Sequence, residues 1–311
     1  MAFDVPILLL VFNRPETTKR VFERIREIKP SKLFVAADGY RSDRDGEKEK
    51  CEEVRNLVMN NIDWPCEVTP LFRNNNLGCG LAVSEGITWF FEHVEEGIIL
   101  EDDILPSRSF FGFAKELLRL YRNDESVWHI GGNSYNPYKM KADYYFSAYP
   151  HIWGWATWRR AWKNYRYELD DVDHKKFFAN VSELFPTHSE KKFWIEFYQD
   201  FFKRGLNGTT WDYQWTCRMW YNKGLAILPK VNLIINIGFT EGATHTIDNN
   251  SWLAHLKANE IEIPKRKEPI RQNKKADLFT SRKVFYIRSA GRKILSDIKK
   301  MIITPLKPKK N

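Results

Sequence analysis

The chain has 311 residues, 43% hydrophobic and 15% aromatic, enough to bury one large core or two modest ones. Its net charge of +9 belongs to one end: residues 265–311 hold 16 Lys and Arg against Glu268, Asp277 and Asp297, leaving 33 basic and 37 acidic residues in the first 264. A mildly acidic body argues against a nucleic-acid-binding fold, which would carry its positive stripe on the body, and no run approaches the roughly 20 apolar residues of a membrane span.

Taken in order, Val5 to Phe12 reads as a first buried strand. It is too short to span a bilayer and, with Asp4 and Pro6, lacks the basic leader and cleavage site of a secretion signal. Asn13-Arg14-Pro15 opens a helix whose face is Val21, Phe22, Ile25 and Ile28. Leu33 to Ala37 makes a second strand ending at Asp38-Gly39. Gly46 to Asn60 carries Cys51, Val54, Leu57 and Val58 at helical spacing, and Cys66 to Phe72 is a third strand ending at Arg73. Leu77-Gly78-Cys79-Gly80 starts a third helix, and Gly97-Ile98-Ile99-Leu100 a fourth strand, which ends in Glu101-Asp102-Asp103. Strands about every 30 residues with helices between predict βαβ crossovers and a mainly parallel sheet with helices on both faces, an α/β fold.

In such a sheet the strand ends share one rim, and ligands bind there. Phe12, Asn13 and Arg14, then Asp38, then Arg73 with the Gly78 turn, then Glu101 and Asp102, suit a nucleotide: amide or carboxylate to the base, carboxylate to the ribose, cations to the diphosphate. Three adjacent carboxylates repel one another, and a divalent cation relieves that cost. Hard oxygens favour Mg²⁺ or Mn²⁺, with Asp103 as the direct ligand. The four cysteines, Cys51, Cys66, Cys79 and Cys217, match no zinc or disulfide spacing and are expected as free thiols of a reducing cytosol.

Further on, Ser107 or Ser109 caps a helix through Phe113, Leu117, Leu118 and Tyr121, and Val127 to Ile130 resumes a strand ending in Gly131-Gly132-Asn133. Trp155, Trp158 and Trp162 fall at helical spacing and read as core for the most part; Trp153 and Trp155, flanking Gly154, are the candidates to stack on a sugar. A helix is expected around Phe193 to Phe202, and strands at Leu225 to Leu228 and Leu233 to Ile237. From about Pro264 the composition changes, and Val284 to Ile302 describes a basic amphipathic helix. The expected division is a domain over 1–264 and a basic tail over 265–311.

At Asn13-Arg14-Pro15, Asn75-Asn76-Leu77-Gly78, Ile99-Leu100-Glu101-Asp102-Asp103, Trp153-Gly154-Trp155, Trp211-Asp212 and Gly242-Ala243-Thr244-His245, the chain resembles GT-A type glycosyltransferases, in layout the N-acetylglucosaminyltransferase I group. That group has paired acids between two tryptophans; here the segment reads Trp211-Asp212-Tyr213-Gln214-Trp215. The resemblance covers roughly residues 5 to 250. It implies metal-dependent, inverting transfer of a sugar from a nucleoside diphosphosugar, UDP-linked, to a hydroxyl of a glycan or lipid-linked acceptor, as in surface polysaccharide synthesis. It implies that Asp212 takes the acceptor's proton, that His245 returns to the metal, and that Asn133, Trp153, Gly154 and Trp155 lie near the reacting sugars. The competing readings are a sugar-phosphate nucleotidyltransferase, which would show a glycine-rich loop in place of Phe12-Asn13-Arg14-Pro15-Glu16, and a non-catalytic carbohydrate- or membrane-binding protein. A cytoplasmic protein, held at the inner membrane face by its tail and binding no nucleic acid, is the expected setting.

Overall fold

Hydrophobic runs alternating with amphipathic helices set the first half of the molecule. In the computed structural model, which describes residues 3–204, 210–239 and 252–287, these are β1 (Ile7–Val11), α1 (Pro15–Ile28), β2 (Lys32–Ala37), α2 (Glu47–Asn60), β3 (Glu67–Phe72), α3 (Gly78–His93) and β4 (Glu96–Glu101). Then come β5 (Ile104–Pro106), α4 (Arg108–Tyr121), β6 (Val127–Gly131), β7 (Tyr144–Ser147), β8 (Trp155–Trp158), α5 (Arg159–Trp162), α6 (His174–Leu184) and α7 (His188–Arg204). The last are α8 (Asp212–Tyr221), β9 (Leu225–Pro229), β10 (Ile234–Asn236) and α9 (Lys274–Lys283).

Among the described residues, eight strands form one sheet in the order β3-β2-β1-β4-β8-β6-β9-β7. The four strands β3, β2, β1 and β4 are parallel, with Leu9 opposite Val35 on one side and Leu100 on the other. β8 runs antiparallel between β4 and β6, and β7 antiparallel beside β9, so the sheet is mainly parallel with two reversed strands. Because side chains alternate along a strand, Leu9, Val35 and Leu100 pack under α1, α2 and α4, while Leu8, Phe34 and Ile99 face α3 and the helices from α5 to α8. No described helix is long and apolar enough to cross a membrane, and all four cysteines are free.

The tryptophan cluster departs from its helical spacing. Trp155 and Trp158 sit in β8, and only Arg159–Trp162 is helical. An (i, i+3) pair fits a helix, but here the strand is fixed by ladders to β4 and β6 on both sides, and tertiary pairing overrides local spacing. Residues 265–287, in the region read as the basic tail, return to the body: Glu268 N–H donates to Tyr144 Oη at 2.8 Å and Asn273 N–H to Phe146 O at 2.7 Å. Asp277 of α9 is fully buried and accepts from Ser147 Oγ at 2.6 Å, Ala148 N–H at 2.9 Å and Gln272 Nε2 at 2.8 Å. The amphipathic pattern beyond 287 lies outside the described residues.

Candidate active site

The carboxyl ends of β1, β2 and β4 and the first turns of α3 enclose a cleft of about 820 Å³, part of it open to solvent. Its floor is apolar and shallow in side-chain volume, made of Leu10, Val11, Ala36, Ala37, Ala82 and Val83. Its mouth is polar, with Arg14, Asp38, Arg41, Arg73, Glu101 and Asp102.

Asp38, expected at the nucleotide, where a carboxylate could read the base, is engaged by the protein itself. Its carboxylate accepts from the backbone N–H of Gly39 (2.9 Å), Leu77 (3.0 Å) and Gly78 (3.1 Å) and from Asn76 Nδ2 (3.0 Å). A carboxylate has about four acceptor sites, so these bonds fill it and hold the turn that starts α3. Burial pushes its pKa up, against the pull of those same N–H groups. Glycine is required at 39, where a Cβ would lie 2.4 Å from the backbone of Asn75. Arg73 pairs with Glu85 at 3.0 Å across the cleft edge, and Gly78 adopts φ +78° at the turn.

Among the described residues, the acids at the end of β4 meet Arg14. Arg14 Nη1 donates to Asp103 Oδ2 at 2.7 Å and stands 3.6 Å from Asp102 Oδ1, while Asp102 Oδ2 accepts from Phe12 N–H at 3.1 Å. Burial raises the pKa of Asp102 and of Asp103, and Arg14 opposes it in both. Glu101, which lines the cleft, is raised as well, by burial and then by the charges of Asp103 and Asp102. Among the described residues Arg14 is the cation paired with Asp102 and Asp103, and both present hard oxygens. Small divalent cations take one or two carboxylates together with substrate phosphates. Among the described residues no three metal-ligating side chains converge. His245 lies outside the described residues.

From the second half of the chain, Asp212 comes near enough for its charge to act on Glu101 and Cys79. It is the first residue of α8, one past the N-cap position held by Trp211, and its carboxylate accepts from the Thr210 hydroxyl. Its charge adds to burial and the rim acids in raising Glu101 and the Cys79 thiol, the latter to about 12. The aromatic candidates divide. Trp153 is partly exposed and meets Phe239 edge-on at 5.8 Å. Trp155 is core: 1% exposed, it stacks between His129 at 4.9 Å and Trp211 at 5.6 Å, which takes it away from any sugar. Gly154 carries φ +60°, and its carbonyl accepts from Gly132 N–H at 2.7 Å, fixing the turn beside Asn133. Asn133 is itself 1% exposed; its Nδ2 donates to Tyr135 Oη at 2.7 Å and its carbonyl meets His151 Nδ1 at 3.0 Å.

Two residues of the rim escaped the sequence reading. Glu47, buried at the start of α2, accepts from Asn13 Nδ2 at 2.9 Å and from Arg41 N–H at 2.8 Å. Arg41 in turn lies 5.5 Å over the Phe12 ring. Thus Asn13, expected at the ligand, is held by Glu47, and Arg41 takes a place at the cleft. An acid in a helix's first turn is the only local signal, and it reads equally well as a dipole partner.

No protein-family model matches the chain, and no curated protein matches its sequence. Solved structures similar to it include UTP-bound UGPase from Acinetobacter baumannii, 9% identical, covering 75% of this chain and 88% of that one with a TM-score of 0.38. HddC from Yersinia pseudotuberculosis is 12% identical over 54% of this chain and 85% of its own, TM-score 0.34. Mouse xyloside xylosyltransferase 1 in its apo form is 9% identical over 70% and 81%, TM-score 0.35. Likenesses this slight carry no argument about activity.

Proposed function

We propose that the chain is a glycosyltransferase that moves a sugar from a nucleoside diphosphosugar, UDP-linked, to a hydroxyl acceptor with inversion. The observation that carries this reading is the cleft at the strand ends, where an apolar slot of small side chains lies beside Arg14, Arg73, Glu101 and Asp102 and the charge of Asp212 acts on Glu101. The slot takes the base, and Arg14, Arg41 and Arg73 are the cations within reach of the diphosphate. Asp102 and Asp103 would hold a divalent cation, which supplies positive charge for the departing diphosphate. The acceptor oxygen forms its bond to the anomeric carbon as the bond from that carbon to the diphosphate oxygen breaks, and the electron pair leaves with the diphosphate. The acceptor's proton passes to the Asp212 carboxylate. Nucleotidyl transfer is disfavoured because Asn13 and Arg14, tied to Glu47 and Asp103, stand where a triphosphate-wrapping glycine loop would be needed.

Asp212→Asn tests the assignment. Asn removes the basic carboxylate at a position outside the cap, so donor affinity and Tm stay near the parent values while transfer falls by about two to four decades. Transfer that persists near the parent rate refutes Asp212 as the base.

A further inference from the structure

Asp103, placed to hold a cation, accepts a hydrogen bond from another residue of the chain, Arg14. Arg14 Nη1 lies 2.7 Å from Asp103 Oδ2 and 3.6 Å from Asp102 Oδ1, on the two carboxylates offered to a cation. The other arginines of the cleft have their own acids, Arg41 with Glu47 and Arg73 with Glu85. Arg14 stands on the turn between β1 and α1, next to Pro15, whose ring fixes the chain direction. Phe12 N–H holds Asp102 from the same turn, so the carboxylates and the guanidinium are organised as one unit.

We propose that Arg14 is a placeholder cation: it occupies Asp102 and Asp103 until a diphosphate draws it away, and so keeps the carboxylates from taking a divalent cation alone. The inference rests on the glycosyltransferase reading only for the identity of the diphosphate. A guanidinium forks onto phosphate as well as onto carboxylate, so Arg14 can exchange one partner for the other by side-chain rotation. The order of binding follows. An arriving diphosphosugar takes Arg14, and the vacated oxygens of Asp102 and Asp103 then share a cation with its phosphates. Arg14 is here a positioning residue that acts through the two aspartates.

The test is a Mn²⁺ titration without nucleotide, read by water-proton relaxation, on the full chain and on Arg14→Gln. Gln removes the competing charge, and Mn²⁺ affinity is expected to rise at least tenfold. Arg14→Lys, which keeps a cation within reach, stays within threefold of the parent. Should Arg14→Gln lose the native fold, Arg14→Met retains the stem and carries the same expectation. An Arg14→Gln affinity equal to or below the parent's overturns the proposal, as does the absence of Mn²⁺ binding by both at millimolar concentration. Because no donor is present, failure of the sugar-transfer reading leaves this measurement unchanged, and that reading is tested separately by donor turnover.

Discussion

Replacing Asp38 by alanine separates a structural carboxylate from a base-reading one. The side chain is the acceptor for three backbone N–H groups and the Asn76 amide. The bond to Gly39 is between neighbours and closes no loop, so three remain that tie β2 to the start of α3, some 38 residues away in sequence. The open cleft lets water replace part of each, so the ordinary net value for a hydrogen bond applies rather than the larger one for a charged group, about 1 kcal/mol each. Asp38→Ala therefore costs about 3 kcal/mol, or roughly 6–12 °C in Tm for a body of this size. Asp38→Asn keeps one acceptor oxygen but turns an amide N–H towards the remaining donors, and costs about half as much by the same count. Scanning fluorimetry gives the Tm, and calorimetry with UDP and ADP gives the affinities. Both nucleotides weaken together, because the turn that shapes the cleft has moved. A variant that melts within a degree or two of the parent, yet loses UDP selectively, refutes this reasoning and returns Asp38 to the base.

Asp277 predicts a pH signature. Burial raises its pKa from 3.8 to about 6, so the folded protein keeps a proton that the unfolded chain releases between those values. Its contribution is greatest below pH 4 and is lost as pH rises through 6, by roughly 3 kcal/mol at about 1.4 kcal/mol per pH unit. Urea unfolding at pH 4 and pH 7 should show the parent losing that much more stability than Asp277→Asn, and parallel losses would contradict the assignment. The basic stretch beyond 287 is proposed to hold the chain at an anionic membrane, at about 1 kcal/mol per Lys or Arg near the surface. Deleting 288–311 should abolish co-sedimentation with anionic vesicles, and binding that survives deletion or ignores added salt counts against it.

The parallel half of the fold was legible because β1, β2 and β4 are buried on both faces and the helices on one, two patterns that differ in local sequence. The reversed strands were not: Trp155 and Trp158 satisfy a helical spacing, and only their ladders to β4 and β6 decide otherwise. At the site, the meeting of Arg14 with Asp103 follows from parallel register, which brings the ends of β1 and β4 together. The employment of Asp38 and Asn13 could not be read, because their partners, Leu77 and Glu47, are distant in sequence and ordinary in type. Trp155 was misplaced for a related reason. A tryptophan beside a glycine suits a sugar platform, but the rings that cover it come from β6 and from the residue before α8.

Product analysis tests the central proposal most directly. The purified chain is incubated with Mn²⁺ and a panel of UDP-sugars, and in parallel with UTP and sugar 1-phosphates. A glycosyltransferase releases UDP from at least one UDP-sugar, through slow hydrolysis even without its acceptor, and Asp103→Asn abolishes that release. Pyrophosphate released from UTP in the presence of a sugar phosphate, with every UDP-sugar left intact, would contradict sugar transfer and make the same cleft a nucleotidyltransferase site.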